Sequence, residues 1–217
     1  MPDPTLFISH KHSDNKIAQV LAAFCEEKSG GRVKVHLSSN PDFKGPKIGK
    51  GLNAQLRHAL WETDVLILIY TSSDQDWSYC MWECGVANDS QSPETNIIVF
   101  QCGSEYPALF NDVVRVNVRN LDDIKRFMNQ FLRDADFFPS IKGAIAPNLR
   151  DTFVESAAKQ LYDNIASVLP PPLPYEREWP TWPYLRIEMP RPEVDKMEPN
   201  LKQRGTPDVY RPPQHDR

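Results

Sequence analysis

Short apolar runs alternate with segments of helical periodicity over the first 170 residues of the chain. The run DVLILIY at residues 64–70 has no polar alternation, which is typical of a parallel strand covered by helices on both faces. Four further runs predict strands, at Thr5–Ser9 and at residues 32–37, 96–100 and 113–118. In the last of these, Val114, Val116 and Val118 alternate with Arg115 and Asn117, which predicts an edge strand with one solvated face.

The segments between these strands repeat apolar residues every three or four positions, as amphipathic helices do. We expect Ser13 with Asp14 to cap the first helix, Gly30 and Gly31 to end it, and Asn120 to cap a later one. A last helix is expected over residues 148–169. The apolar stripes of the four helices are Ile17, Val20, Leu21 and Phe24; Leu52, Leu56, Ala59 and Leu60; Leu121, Ile124, Met128 and Phe131; and Phe153, Ala157, Leu161, Ile165 and Val168. Five strands alternating with helices predict a doubly wound α/β domain with a parallel sheet.

The remaining residues, 170–217, have a different composition. They hold 12 of the 20 prolines, which excludes helix interiors and central strands. Several large apolar side chains in the same stretch favour an extended segment that packs on a surface, with a free tether as the alternative. These side chains are Tyr175, Trp179, Trp182, Tyr184, Leu185 and Ile187. We therefore divide the chain into residues 1–138, an additional C-terminal helix region at 139–169 and a proline-rich extension at 170–217.

Composition limits the function. The formal net charge is -4, so no basic field attracts nucleic acid or an anionic membrane. Four cysteines in 217 residues are too few for a disulfide scaffold. The first residues, MPDPTLFISH, lack the pattern of a signal peptide, and no apolar stretch reaches membrane-spanning length. We expect a soluble cytoplasmic protein.

One short segment carries the candidate chemistry. SYCMWECGVA, at Ser78–Ala87, follows the buried strand and predicts Glu83 in the first turn of a helix. In parallel α/β sheets the ligand crevice lies outside the carboxyl ends of the strands, and Glu83 comes a short loop beyond one such end. A glutamate in a first helical turn is ordinarily a partner of the helix dipole. Its position beside the crevice makes Glu83 a candidate catalytic residue instead.

Four pieces of sequence together resemble a known family. They are FISH at residues 7–10, G-x-x-L-x-x-x-L-x-x-A-L at residues 49–60, Thr63-Asp64 before the buried strand, and S-Y-C-x-x-E at residues 78–83. Their order and spacing over residues 5–132 resemble a TIR (Toll/interleukin-1 receptor) domain, and WECGVA is similar to bacterial, NAD-cleaving members. The resemblance implies a flavodoxin-like fold with strand order 2-1-3-4-5. It also implies that Glu83 is the catalytic residue of an enzyme that cleaves NAD at the nicotinamide–ribose bond.

Other site residues are expected from their places in the pattern. Phe7, Ser9, His10 and Lys11 end the first strand and enter its loop. Lys11 or His12 is available there for phosphate, and Phe7 for stacking on a base or nicotinamide. For Phe7, packing in the core is the alternative. Ser38 stands where the resembling domains often have an aspartate. Ribose or loop contacts are the expectation for this position, but the sequence departs from the family's pattern here. Trp82 lies beside the glutamate, in a binding or a packing role.

The chemistry requires neither metal nor cofactor, with NAD as substrate. Cys80 and Cys84, four residues apart, suggest a metal site with His10 or His36, but buried reduced thiols are far commoner and we expect no metal. The basic loop at residues 38–50 corresponds to a loop that mediates assembly in the resembling family, which implies a homo-oligomer or an activating partner. Three functions stay open: an NAD glycohydrolase or cyclase in bacterial antiviral defence, a non-enzymatic TIR adaptor that self-associates, and a nucleoside-processing transferase.

Overall fold

Five parallel strands form the centre of the fold. A computed structural model describes residues 3–39, 54–88, 95–103, 110 and 113–170, with the side chains of residues 54 and 55 excepted. The strands lie in the order 2-1-3-4-5. The domain is therefore the expected flavodoxin-like, doubly wound α/β fold. The strands are β1 (Thr5–Ser9), β2 (Lys34–Leu37), β3 (Val65–Tyr70), β4 (Asn96–Gln101) and β5 (Val114–Asn117).

Helices cover both faces of this sheet. On one face α1, α4 and α5 pack against the apolar side chains of Leu6, Ile8 and their neighbours, and on the other α2 and α3 pack against Phe7, Leu66 and Leu68. All six residues of β3 are buried, as its unbroken apolar run predicted. The helices are α1 (Asn15–Lys28), α2 (Ala54–Trp61), α3 (Ser78–Ala87), α4 (Leu121–Arg133) and α5 (Asp151–Val168). None of the helices in the described part of the chain has the length and apolar character to cross a membrane.

Two predicted helix boundaries are confirmed by local geometry. Gly30 and Gly31 follow α1 with φ of 63° and 73°, a left-handed conformation that glycine adopts without steric cost. The Asn120 side chain accepts a hydrogen bond of 2.9 Å from the Asp122 amide, so Asn120 caps α4.

Other details of the helices were predicted wrongly. A 3-10 turn at His12–Asp14 precedes α1, and no side-chain cap bond comes from Asp14, because its buried carboxylate accepts from Thr71 instead. Helix α5 begins at Asp151 rather than at residue 148, and Phe153 is 42% exposed. Val154 takes the buried position in the first turn, whereas Ala157, Leu161 and Ile165 are buried as expected.

Strand β5 is the edge strand that its alternating pattern predicted, but not every valine faces the core. Val116 and Val118 are buried, whereas Val114 is 49% exposed at the start of the strand. The outer edge of β5 is protected by α4: the Asn117 amide donates to Asp123 and Arg126 donates to the Arg115 carbonyl. Residues 171–217 lie outside the described part of the chain, so the packing of the tail stays a prediction.

Candidate functional site

The sheet topology places the crevice between β1 and β3. These strands are neighbours, but the chain leaves β1 toward β2 on one side and later enters β3 on the other. Ligand crevices of open α/β sheets lie at such a switch point, outside the carboxyl ends of the strands. Ser9 is the last residue of β1 and is paired in register with Leu68 of β3. It is therefore at the mouth of the crevice.

The loop after β3 fixes where α3 starts. The Asp76 carboxylate accepts a hydrogen bond of 2.9 Å from the Ser78 amide and one of 2.5 Å from the Ser78 hydroxyl. The Trp77 ring lies 4.6 Å from the Tyr70 ring, centroid to centroid, and its Nε1 donates to the Ser72 carbonyl at 2.7 Å. These contacts anchor the first turn of α3 to the end of β3.

Glu83 is the sixth residue of α3, so the expectation that it lies in the first helical turn was wrong. The helix begins at Ser78, whose amide donates to the Asp76 carboxylate just before the helix. A role as partner of the helix dipole does not explain a glutamate at this position, since the dipole acts on charges within the first or last turn. Glu83 instead points inward, onto the sheet face that Ser9 shares with Phe7, two residues earlier on the strand.

The Glu83 carboxyl group is fully buried and incompletely hydrogen-bonded. Its side chain has no exposed surface, and the Ser9 hydroxyl, equally buried, donates to its Oε2 atom. Within the part of the chain that the structure describes, the other oxygen, Oε1, has no hydrogen-bond partner. Buried polar atoms are almost always paired in native proteins, so an unpaired carboxyl oxygen requires a reason. A ligand atom that completes the group is such a reason.

Burial has a large effect on the ionisation of this group. Removal from water raises the pKa of Glu83 to about 8, and the hydrogen bond from Ser9 offsets part of that rise by favouring the ionised form. Glu83 is therefore largely protonated at neutral pH in the free protein. A carboxyl whose pKa is shifted toward the working pH is typical of residues that take part in chemistry.

Two cysteines flank Glu83 on α3. Burial is the main cause that raises the pKa of the Cys80 thiol to about 11, and burial also raises the pKa of Cys84. The nearby Ser9 side chain acts in the opposite direction and lowers the pKa of Cys80 in part. Both thiols are protonated at neutral pH, so they contribute apolar surroundings rather than negative charge to the Glu83 site.

His10 and Ser38 form a second polar cluster, on the opposite face of the sheet. The His10 ring nitrogen Nδ1 lies 3.1 Å from the Ile8 carbonyl and 3.1 Å from the Ser38 hydroxyl, and Nε2 lies 3.3 Å from Asn15 Oδ1. Burial lowers the pKa of His10. The cluster links the ends of β1 and β2 to the start of α1. The structure thus separates His10 and Ser38 from Glu83, although all three lie near the same edge of the sheet.

The remaining residues expected at the site have different surroundings. Phe7 is fully buried among core side chains, which favours the packing role over stacking on a ligand. Lys11 is half-buried, with its Nζ 5.6 Å from the centre of the Trp77 ring. Trp82, on α3, is half-buried and packs against the core.

One surface feature near Glu83 was missed in the sequence. The rings of Tyr79 and Trp82 lie 5.6 Å apart on α3, and the Arg57 guanidinium of α2 lies 5.8 Å from the Trp82 ring. Tyr79 is 48% exposed. The i, i+3 spacing of the two aromatics was a usable signal, because residues three apart share a helix face.

No cluster of three or more His, Cys, Asp or Glu side chains suited to a metal ion occurs in the described ranges. A cavity of ≈ 480 Å³ lies beside α3, but its lining is Met81, Cys84, Gly85, Asn88, Thr95, Ile97, Phe110, Val113 and Val114. Glu83 is not among these residues, so this cavity is separate from the site.

Comparison with protein-family models gives no match for this chain. Comparison with curated protein sequences gives no significant match either.

Proposed function

We propose that this protein is a hydrolase of the N-glycosidic bond that cleaves NAD between nicotinamide and ribose, with Glu83 as its catalytic residue. The observation that carries the proposal is the buried, incompletely hydrogen-bonded Glu83 carboxyl at the switch point between β1 and β3. More specifically, the sequence resemblance in residues 5–132 favours an enzyme of the TIR type. A role in bacterial antiviral defence is part of the same proposal.

The chemistry suits a single carboxylate. Nicotinamide is a cation in NAD and leaves as a neutral molecule, so no general acid is needed to protonate it. Glycosidases, whose sugar leaving groups depart from oxygen and are poor, supply two carboxyl groups for the cleavage of O-glycosidic bonds. What remains is positive charge developing at the anomeric carbon, which a fixed carboxylate in a poorly solvated site stabilises strongly. Glu83 has the burial and the anchoring hydrogen bond for this role.

The raised pKa of Glu83 is compatible with this chemistry. A positive charge near a carboxyl group favours its ionised form. Entry of the nicotinamide cation next to Glu83 therefore lowers the pKa of Glu83 from about 8 and produces the carboxylate that the reaction needs. Because Glu83 has no exposed surface, the side chains that cover it must move when the substrate enters.

The test is incubation of the purified protein with NAD, followed by chromatographic separation of nicotinamide, ADP-ribose and cyclic ADP-ribose. We expect nicotinamide with one of the two ribose products. The reduced dinucleotide is the matched control, because its nicotinamide carries no positive charge and is a poor leaving group. Nicotinamide riboside is the control for a nucleoside-processing enzyme. Failure to release nicotinamide at any protein concentration contradicts the proposal and favours the adaptor function.

We also propose that activity depends on self-association through the basic loop at residues 38–50, most of which falls outside the described residues. The support is the resemblance and the three lysines of the loop, Lys44, Lys47 and Lys50. The expected result is a rate per molecule that increases with protein concentration or on addition of an activating partner. A constant rate per molecule from a demonstrated monomer would refute self-association.

A further inference from the structure

Ser9, whose hydroxyl donates to Glu83, is located in the interior of the sheet. It lies in β1, which is hydrogen-bonded to β2 on one side and to β3 on the other, and its own side chain is fully buried. The orientation of its hydroxyl is constrained because it donates a hydrogen bond to the buried Glu83 carboxyl. A group on a central strand changes position less than one on a loop.

The two oxygens of Glu83 have unequal surroundings. Oε2 accepts the hydrogen bond from Ser9, whereas Oε1 is without a partner in the described part of the chain. With Oε2 held by Ser9, the carboxylate can accept a second hydrogen bond at Oε1. In a nucleotide the matching donors are the ribose hydroxyls, which lie next to the anomeric carbon where positive charge develops.

We propose that Ser9 is a positioning residue, which holds Oε2 of Glu83 and so presents Oε1 to a ribose hydroxyl of the substrate. This inference rests on the proposed function, because it assigns a role to Ser9 in that reaction. It differs from the direct substrate contact that the sequence suggests for Ser9. The hydroxyl hydrogen of Ser9 is used by Glu83, so the residue acts on the substrate through Glu83.

Charged and titratable groups approach this pair from the elements packed around it. On α3 they are Tyr79, Cys80 and Cys84, which interact electrostatically with Glu83. From the segment after β1, Lys11 and Asp14 act on Cys80 with opposite signs, and Arg57 of α2 lies over Trp82. Desolvation and the Ser9 hydrogen bond are the two causes that act on the pKa of Glu83 itself. Removal of the Ser9 hydroxyl therefore leaves desolvation unopposed and raises the pKa of Glu83 further.

The experiment compares Ser9→Ala with the parent in two measurements. The first is a carbon-13 NMR titration of the Glu83 carboxyl in the free protein, with the signal assigned by its absence in Glu83→Gln. We expect the pKa of Glu83 to rise by about one unit in Ser9→Ala, which corresponds to roughly a tenfold smaller ionised fraction at neutral pH. The second is the pH profile of NAD cleavage. Its acidic limb is expected to move to higher pH by the same amount, with kcat changing more than KM.

Thr63→Val is the matched control. Thr63 is also fully buried, and its hydroxyl donates to the Ala59 carbonyl at 2.7 Å, at the opposite end of β3 from Glu83. This variant loses a buried hydroxyl without touching the site, so neither the pKa of Glu83 nor the pH profile should move. Ser9→Cys keeps the size of the side chain with a weaker donor, and an intermediate pKa is expected; it serves if Ser9→Ala does not fold.

The two proposals fail separately. An unchanged pKa of Glu83 in folded Ser9→Ala overturns the positioning role, whether or not the parent cleaves NAD. An unchanged acidic limb in an active Ser9→Ala variant also overturns it. A raised pKa together with a parent that never releases nicotinamide overturns the proposed function, and with it the presentation of Oε1 to ribose, while the hydrogen bond itself stands.

Discussion

Asp64 and Glu83 are both buried acids beside β3, and they differ in how completely their carboxyl groups are hydrogen-bonded. Asp64 accepts four hydrogen bonds, from the amides and hydroxyls of Thr5 and Ser140, at 2.8, 3.3, 2.6 and 2.8 Å. Among the described residues Glu83 accepts one, from Ser9. Asp64 thus joins the start of β1 to the chain after α4, which is a structural role. Glu83 lacks a comparable structural explanation, and this contrast supports its assignment to the reaction.

Substitution of Asp64 should affect stability but not chemistry. Asp64→Asn replaces one acceptor oxygen by an amide that faces donors from Thr5 and Ser140, so buried donors lose their partner. We expect a decrease of about 2 to 3 kcal/mol in the free energy of unfolding, measured by urea denaturation. The NAD cleavage rate per folded molecule should stay at the parent's value, since Asp64 is at the other end of β3. An unaltered denaturation midpoint would show that these four contacts do not stabilise the domain.

Substitution of Glu83 should increase stability at high pH, in contrast to substitution of Asp64. The pKa of Glu83 is raised in the folded state, from 4.5 to about 8, so the folded protein binds more protons than the unfolded chain between these values. The contribution of Glu83 to stability is then fully present below about pH 4.5 and is lost as pH rises through about 8. The loss is roughly 1.4 kcal/mol for each pH unit in this interval.

Glu83→Gln removes this dependence because the amide does not ionise. We expect the variant to unfold at higher urea concentration than the parent above neutral pH, with the difference shrinking toward pH 4.5. Glu155→Gln, on the exposed surface of α5, is the control and should leave the pH dependence unchanged. A Glu83→Gln protein that is less stable than the parent at alkaline pH would mean that the carboxylate is needed for folding.

The pH dependence of activity follows from the same group. Stabilisation of a developing cation needs the ionised carboxylate, so kcat/KM should rise with pH and level off above an apparent pKa of about 8. The corresponding limb of kcat should lie at lower pH, because the bound nicotinamide cation favours the ionised form. Rates measured in buffers across this range provide the check. A profile that falls through neutral pH would indicate that Glu83 acts in its protonated form.

The strands were predictable from sequence because buried parallel strands require unbroken apolar runs, whereas their order was expected only from the resemblance to a known family. The apolar run in β3 and the alternation in β5 agree with the burial of their residues, apart from Val114 at the start of the edge strand. The choice between Phe153 and Val154 for the first buried position of α5 was not predictable, since both are apolar and only packing against α1 and α4 decides between them. The depth of Glu83 in α3 depends on where the helix starts, and the hydrogen bond between Asp76 and Ser78 at that start is a local contact that periodicity does not reveal.

The composition of the site was predictable in part. The sequence predicted that Ser9, at the end of β1, and Glu83, after β3, face the same crevice. The structure places the two side chains in contact. His10 follows Ser9 directly, but successive side chains of a strand point to opposite faces, so His10 joins Ser38 and Asn15 instead. Proximity in sequence was therefore a poor guide to which polar groups act together.

The most direct test of the account is the initial rate of nicotinamide release from NAD by Glu83→Gln, compared with the parent and with Glu155→Gln at equal concentrations of folded protein. Gln has nearly the same volume as Glu and its amide oxygen still accepts the hydrogen bond from Ser9, so the variant loses the ionisable group and one acceptor oxygen while the packing is kept. The account predicts that the parent and Glu155→Gln release nicotinamide at the same rate, and that Glu83→Gln is slower by at least about a hundredfold. Nicotinamide release by folded Glu83→Gln at the parent's rate would contradict the assignment of Glu83 as the catalytic residue.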